Sequence, residues 1–431
     1  MSGADWSKTW ANWVYCGTAR ERRLALDMAR AEPALVAGNA WLACAAGDDA
    51  VIGAALTEDA GWVNRTGGPL GMAPLTAVTH SLLILEDGYE AKLLRAAALL
   101  LQHGADASAR WHHPDWPDDA LSVLYGAAGR THNAAMTRLL LEAGADPNDG
   151  ESLYHSIDGR DSTCTRLLLD AGARVTGTNA IGRALDYDRL DDLRLLVDRG
   201  GDVNESRFLH HAILRGRSMA HITLLADAGA DLRGVNSDGI SLFRWAALHG
   251  RADILTLLRA AGIDETLTED EQFVAACAGG DGAAARTVLA RVPDIVARLS
   301  PLHLQALPKL ADLGALPAVE LMLDLGWPRE VTAAWDATAL NLAVYRGDAA
   351  MTELLLKSDA DWQTRHGYDD IVLGTLSYAS QAEPEDPAAP SDFVGCARAL
   401  VGHGVPVARF TDYVFSPEVT EYLATLGAKA E

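Results

Sequence analysis

The chain has 431 residues, 49% hydrophobic and 22% charged, which excludes a mainly disordered or collagen-like polymer and leaves enough apolar side chains for a sizeable core. Its 59 acidic against 36 basic residues give a formal charge of -23, a field that repels nucleic acid and anionic membrane surfaces and favours basic or neutral partners. The five cysteines (Cys16, Cys44, Cys164, Cys277, Cys396) are scattered, odd in number and in no CxxC or CxxH spacing, so they read as buried reduced thiols. With no apolar leader at the N-terminus and no uncharged apolar run of membrane-spanning length, the expected location is cytoplasmic.

Residues 1–38 carry Trp6, Trp10 and Trp13, then Leu24, Leu26 and Met28 at near-helical spacing, which predicts an N-terminal helical cap. From there one phrase recurs: LLLQHGADA from 99, LLLEAGADPN from 139, LLLDAGAR from 167, LLVDRGGDVN from 195, LLADAGADL from 224 and LLRAAGID from 257. Degenerate copies follow as LMLDLGW from 321, LLLKSDAD from 354 and ALVGHGVPV from 399, while LTEDAGWVN from 56 and LARVPDIV from 289 use another turn. Each phrase predicts the end of an amphipathic helix, a glycine able to take the left-handed conformation, and an Asp or Asn that turns the chain. A second short apolar helix lies upstream of each, so the unit is helix, turn, helix, loop. One such unit cannot bury its apolar face alone and must stack on its neighbours.

The fullest copy, DGISLFRWAALHGRADILTLLRAAGID from Asp238 to Asp264, resembles the ankyrin-repeat pattern. Ser241 stands at the Thr position, Leu242 at Pro, Phe243 at Leu and Arg244 at His. Leu209-His210, Pro74-Leu75 and Thr338-Ala339-Leu340 keep other parts of the pattern. The resemblance spans roughly residues 40 to 407 and points to a divergent, bacterial-type member of that family. It implies an all-α ankyrin-repeat solenoid at 39–407, of about ten or eleven divergent units, between the cap at 1–38 and a C-terminal capping helix at 408–431 whose N-cap is Ser416 with Pro417 in its first turn.

Where the pattern bends is informative. Gly144, Gly172, Gly200 and Gly229 are 28, 28 and 29 residues apart, against about 33 in the ankyrin unit, which predicts clipped loops in place of full hairpin fingers. Gly104 and Gly144 are 40 apart, and the insertion at 110–119 accounts for much of the excess. A second insertion at 380–392, rich in proline and acid, predicts an exposed loop or linker.

No glycine-rich phosphate loop, GxSxG elbow or HExxH is present, which weighs against an enzyme, and no catalytic residue, cofactor or metal site is assigned. Aligned on the turn glycines, His155, Arg183, His211 and Trp245 share one slot beside the expected concave groove, with Tyr154, His210 and Arg244 next to them. The row offers cationic and hydrogen-bonding groups beside an aromatic face, suited to an anionic or aromatic side chain or a small molecule. It also has a purely structural reading, as inter-repeat hydrogen bonds and packing. The loop residues Trp111, His112, His113, Asp115 and Trp116 have the composition of contact anchors, or of side chains folded back to close an irregular loop. The function that the resemblance implies is a non-catalytic scaffold holding a protein partner in the groove. The alternative is an enzyme or small-molecule binder with a His/Arg/Trp/Tyr-lined pocket around residues 150–250.

Overall fold

The computed structural model describes residues 6–114, 116–382 and 389–427, so Asp115 and the middle of the 380–392 insertion lie outside the described residues. The architecture is all-α. Helix pairs succeed one another from Ala40–Ala46 with Asp49–Glu58 to Val372–Gln381 with Phe393–Gly402.

Ala134–Glu142 shows why each phrase folds as it does. The Asn133 side chain accepts the Met136 N–H and starts the helix, and Met136, Thr137 and Leu140 are buried along one face. Gly144 then turns left-handed at φ 90°, letting the Ala145 N–H reach the Leu140 carbonyl at 3.0 Å. Gly104, Gly172, Gly200, Gly229, Gly262, Gly326 and Gly404 repeat the conformation, and in LLLKSDAD the slot is taken by Asp359 at φ 61°.

The chain divides into two compact units, residues 1–184 with 189–205 and residues 185–188 with 206–431. In the first, Leu93, Leu100, Met136, Leu140, Leu168, Leu193 and Leu196 are fully buried between stacked pairs, each such leucine contributing about 2 kcal/mol of apolar burial. In the second, Phe273, Leu307, Val319, Met322, Met351, Leu355 and Leu400 form the equivalent core.

At the N-terminus, Trp6–Cys16 and Ala19–Ala31 are helices, the second started by a reciprocal Thr18–Glu21 capping box. Trp10 is fully buried, its Nε1 donating to the Ala25 carbonyl at 2.9 Å, whereas Leu24 is exposed and Leu26 carries the apolar face. Near the C-terminus the Ser416 hydroxyl caps Pro417–Thr425 by accepting the Val419 N–H. Four of the five cysteines are buried and Cys16 is exposed, which corrects the expectation for that residue: it sits on the outer face of the last turn of its helix.

The insertion after Ser108 is a two-stranded antiparallel hairpin, Arg110–His113 against Trp116–Ser122, with an irregularity between His112 and His113. The unit beginning near 231 closes its loop with a single bridge, Val235 to Ser241, and a later one with Thr332 to Thr338. Among the described residues the loops from 145 to 230 carry no such bridge. Among the described residues no helix is long and apolar enough to cross a membrane.

Candidate functional site

In the first unit, Tyr154 and His155 lie on the helix Ser152–Ser156 and Arg183 on the first helix of the next pair. His155 and Arg183 are brought together by Asp158, a residue that sequence reasoning did not single out. Arg183 donates through Nε to Asp158 Oδ1 at 2.7 Å and through Nη2 to Oδ2 at 2.8 Å, a two-pronged grip. The His155 Nδ1 lies 3.1 Å from the same Oδ2, and the Arg183 guanidinium stands 4.9 Å over the Tyr154 ring. Burial alone would raise the Asp158 carboxyl, yet the hydrogen bonds from His155 and Arg183 and the arginine charge hold it below the ordinary carboxylate range.

The hairpin residues divide sharply. Trp111 is buried, its Nε1 donating to the Leu70 carbonyl at 2.9 Å and its ring meeting Tyr15 edge-on at 4.9 Å. His113 is buried beside it, stacked on Tyr15 at 5.2 Å, while His112 is exposed. The backbone of Trp116 pairs with His113.

The centre of this cluster is Tyr15, from the N-terminal helix, with the Arg130 guanidinium 4.1 Å over its ring and an Arg130 N–H donated to its own carbonyl. His80 completes it, and burial followed by the nearby Arg130 charge pushes its imidazole down to about 3, so it is neutral at ordinary pH. Tyr15, His80 and Arg130 come from distant segments and left no local sequence signal.

In the second unit, the His211 Nε2 lies 2.8 Å from Asp186 Oδ1, which also pairs with Arg215 Nε at 3.2 Å. The His210 Nε2 lies 3.1 Å from the Ile240 carbonyl. Arg244 bridges Glu265 and Glu271 at 3.0 and 2.9 Å.

Trp245 is only 6% exposed. Its Nε1 donates to the His210 carbonyl at 2.9 Å, the His249 ring packs 4.3 Å away, and Lys309 lies 5.1 Å over its face. Thus the aromatic end of the row is covered by this chain's own helix Ala306–Asp312.

Among the described residues no three His, Cys, Asp or Glu side chains gather in a way that could hold a metal ion. The buried thiols Cys44, Cys277 and Cys396 are pushed up by burial, the opposite of what an activated nucleophile needs. What the arrangement does chemically is neutralise charge between adjacent repeats.

No protein-family model matches the chain. A search of curated proteins likewise finds no match. Among solved structures the chain is similar to the crystal structure of the human ASB11 ankyrin repeat domain, at 21% identity over 52% of this chain and 98% of that one, with a TM-score of 0.25. A likeness of that size carries no argument about function, and a human domain lends nothing to the bacterial-type expectation. The all-α class rests on the helix pairs, capped turns and bridged loops described above.

Proposed function

We propose that this protein is a non-catalytic binding scaffold that holds a basic or neutral protein partner on a surface of stacked helix pairs. The observation that carries the reading is the way Asp158 locks His155 and Arg183 across two pairs. Side chains committed to each other in this way rigidify the stack, and a rigid surface loses little entropy when a partner docks. The accessible parts of Tyr154, His155 and Arg183, together with the exposed His112 on the hairpin, are the contact groups of this proposal, offered to aromatic or acidic side chains of a partner that is basic or neutral overall. Trp111 and Trp245 act in it as internal supports, because both are buried.

The net charge of -23 supports a partner of opposite sign overall. Capture from the native host, followed by titration of the purified partner at low and high salt, tests the reading. A stoichiometric complex is expected, weakening as salt rises and weakening further in Arg183→Ala. A captured protein that binds Arg183→Ala and the unaltered chain equally at every salt concentration overturns the choice of surface. Failure to isolate any stoichiometric partner overturns the scaffold reading itself.

A further inference from the structure

Elsewhere in the second unit several large aromatic side chains point inward, as Phe273, Trp245 and Trp327 do. Around residues 332–378 Trp335 and Tyr345 are half-buried, and Tyr368 and Tyr378 are exposed. The loop closed by the Thr332 to Thr338 bridge holds Trp335 at φ 46°, ψ 34° and Asp336 at φ 55°, two successive non-glycine residues in left-handed conformation. A bulky residue is a poor choice there on backbone grounds, and strain of this kind persists only where the surrounding contacts hold the conformation in place. The next loop is tied to it by the Gly367 N–H, which donates to the Trp335 carbonyl at 2.8 Å.

This turn sets the Trp335 indole among rings from two loops and a helix. His366 meets it edge-on at 5.1 Å, Tyr368 lies 6.1 Å away at 38°, and Tyr345 lies 6.0 Å away at 60°. Tyr345 in turn stacks on Tyr378 of the following first helix, 6.4 Å away and within 9° of parallel. His366 is buried and forms the floor. Tyr368 is 77% exposed and Tyr378 66%. Val414, 71% exposed, continues the face, its carbonyl accepting from Gln381 Nε2 on the helix that carries Tyr378.

The charges around these rings are mainly acidic. Asp336 and Asp369 are exposed beside Trp335 and Tyr368, and Asp370 accepts the Tyr413 hydroxyl at 2.7 Å. The loop's base, Arg365, is engaged by Asp369 at 2.8 Å.

Exposed tyrosine faces beside carboxylates favour a flat cation, because the ring quadrupole and the carboxylate attract the same guanidinium. A contiguous run of rings with two such exposed faces marks an interaction surface. We propose that Trp335, Tyr345, Tyr368 and Tyr378, with Asp336 and Asp369, form a docking surface for an extended arginine-bearing segment of a protein partner. The arginine side chains lie on the ring faces, and the carboxylates of a strongly acidic chain answer their charge. This deepens the scaffold reading and rests on it.

The test uses the full chain and a labelled nonapeptide of alternating arginine and glycine, followed by fluorescence anisotropy at physiological salt. Matched lysine and proline peptides serve as comparisons. Tyr368→Ser and Tyr378→Ser remove exposed rings and leave the core untouched, so a double variant with an unchanged circular dichroism spectrum reports on the face alone. The arginine peptide is expected to bind more tightly than the lysine peptide and to lose about tenfold or more in affinity in the double variant.

Equal affinity for the unaltered chain and the double variant would mean diffuse charge attraction and overturns the proposal. So does tighter binding of the proline peptide, or self-association of the chain that the double variant abolishes. A native partner that the double variant still holds at full affinity overturns this surface while leaving the scaffold reading intact. Isolation of no native partner, with the arginine peptide still bound through Tyr368 and Tyr378, supports this surface and counts against the scaffold reading alone.

Discussion

The His211 imidazole reaches the Asp186 carboxylate 25 positions earlier, and Arg183 reaches Asp158 across the same 25 positions. Asp158 and Asp186 are themselves 28 residues apart, the spacing of the turn glycines. A side chain on one first helix therefore pairs with an acid at or just past the end of the preceding one, and the pairing repeats with the unit. Cutting one such rung should be costly, because Asp158 is largely shielded from water and holds two donors. We expect Asp158→Ala to lower stability by about 2 kcal/mol, as removal of one partner leaves charged groups uncompensated. A urea midpoint within experimental scatter of the unaltered protein would contradict this. A double-mutant cycle with Arg183→Ala should show that the two losses do not add.

The same carboxylate sets an acid limit. Its folded-state value lies below the ordinary one, so its contribution is present above the unfolded value and is lost as pH falls through the folded one. Asp158→Asn should therefore narrow its deficit against the unaltered protein only below about pH 4. Unfolding midpoints measured from pH 7 down to pH 3 will show this convergence or its absence.

Two buried histidines act in a different window. Burial, more than any neighbour, pushes His249 down to about 4, and His80 to about 3, against 6.5 for an unburied imidazole. Below pH 6.5 the unfolded chain takes up protons that the folded one refuses, so stability falls with pH until the folded values are reached. Each histidine contributes a slope approaching ~1.4 kcal/mol per pH unit. Replacing His249 by Asn should flatten the dependence between pH 6 and pH 4.5 by about one proton. An unchanged slope in that variant would mean that His249 takes up its proton in the folded state too.

Trp111 carries the hairpin rather than displaying it. Its indole is buried against Tyr15 and bonded to the Leu70 carbonyl. Trp111→Ala should cost about 3–5 kcal/mol, typical for a large aromatic removed from a packed site, and Trp111→Phe clearly less. Equal thermal midpoints for the two variants would show that the lost hydrogen bond, and not the volume, decides.

What the sequence made legible is what it encodes locally. Leu139, Leu140 and Gly144 lie within a few residues of one another, so periodicity and a turn residue suffice to place helix and stop. The shared slot of His155, Arg183 and His211 followed from the same register. The burial of Trp245 did not, since Lys309 comes from a helix 64 residues further on. Nor did the Tyr15 cluster, in which Arg130 meets a residue 115 positions away. Trp335 left no signal either, since its place among Tyr345, His366 and Tyr368 depends on a loop conformation that its own residue type disfavours.

The turn slot itself gives the most discriminating test of why the repeat ends where it does. A methyl group added at Gly144 would meet nothing within 4 Å, so Gly144→Ala places no atom in conflict and alters only the ease of the left-handed backbone. The expected cost is about 1 kcal/mol. Asp359 holds the same conformation at φ 61°, with the Ala360 N–H bonded to the Leu355 carbonyl at 3.1 Å, as Ala145 is bonded to Leu140 in the earlier unit. Asp359→Gly relieves that backbone but gains freedom in the unfolded chain. The net gain should therefore stay below about 1 kcal/mol, with sign opposite to Gly144→Ala. Chemical denaturation of both variants decides the point: if Asp359→Gly destabilises the protein as much as Gly144→Ala does, the slot is governed by side-chain contacts of Asp359 and not by backbone conformation.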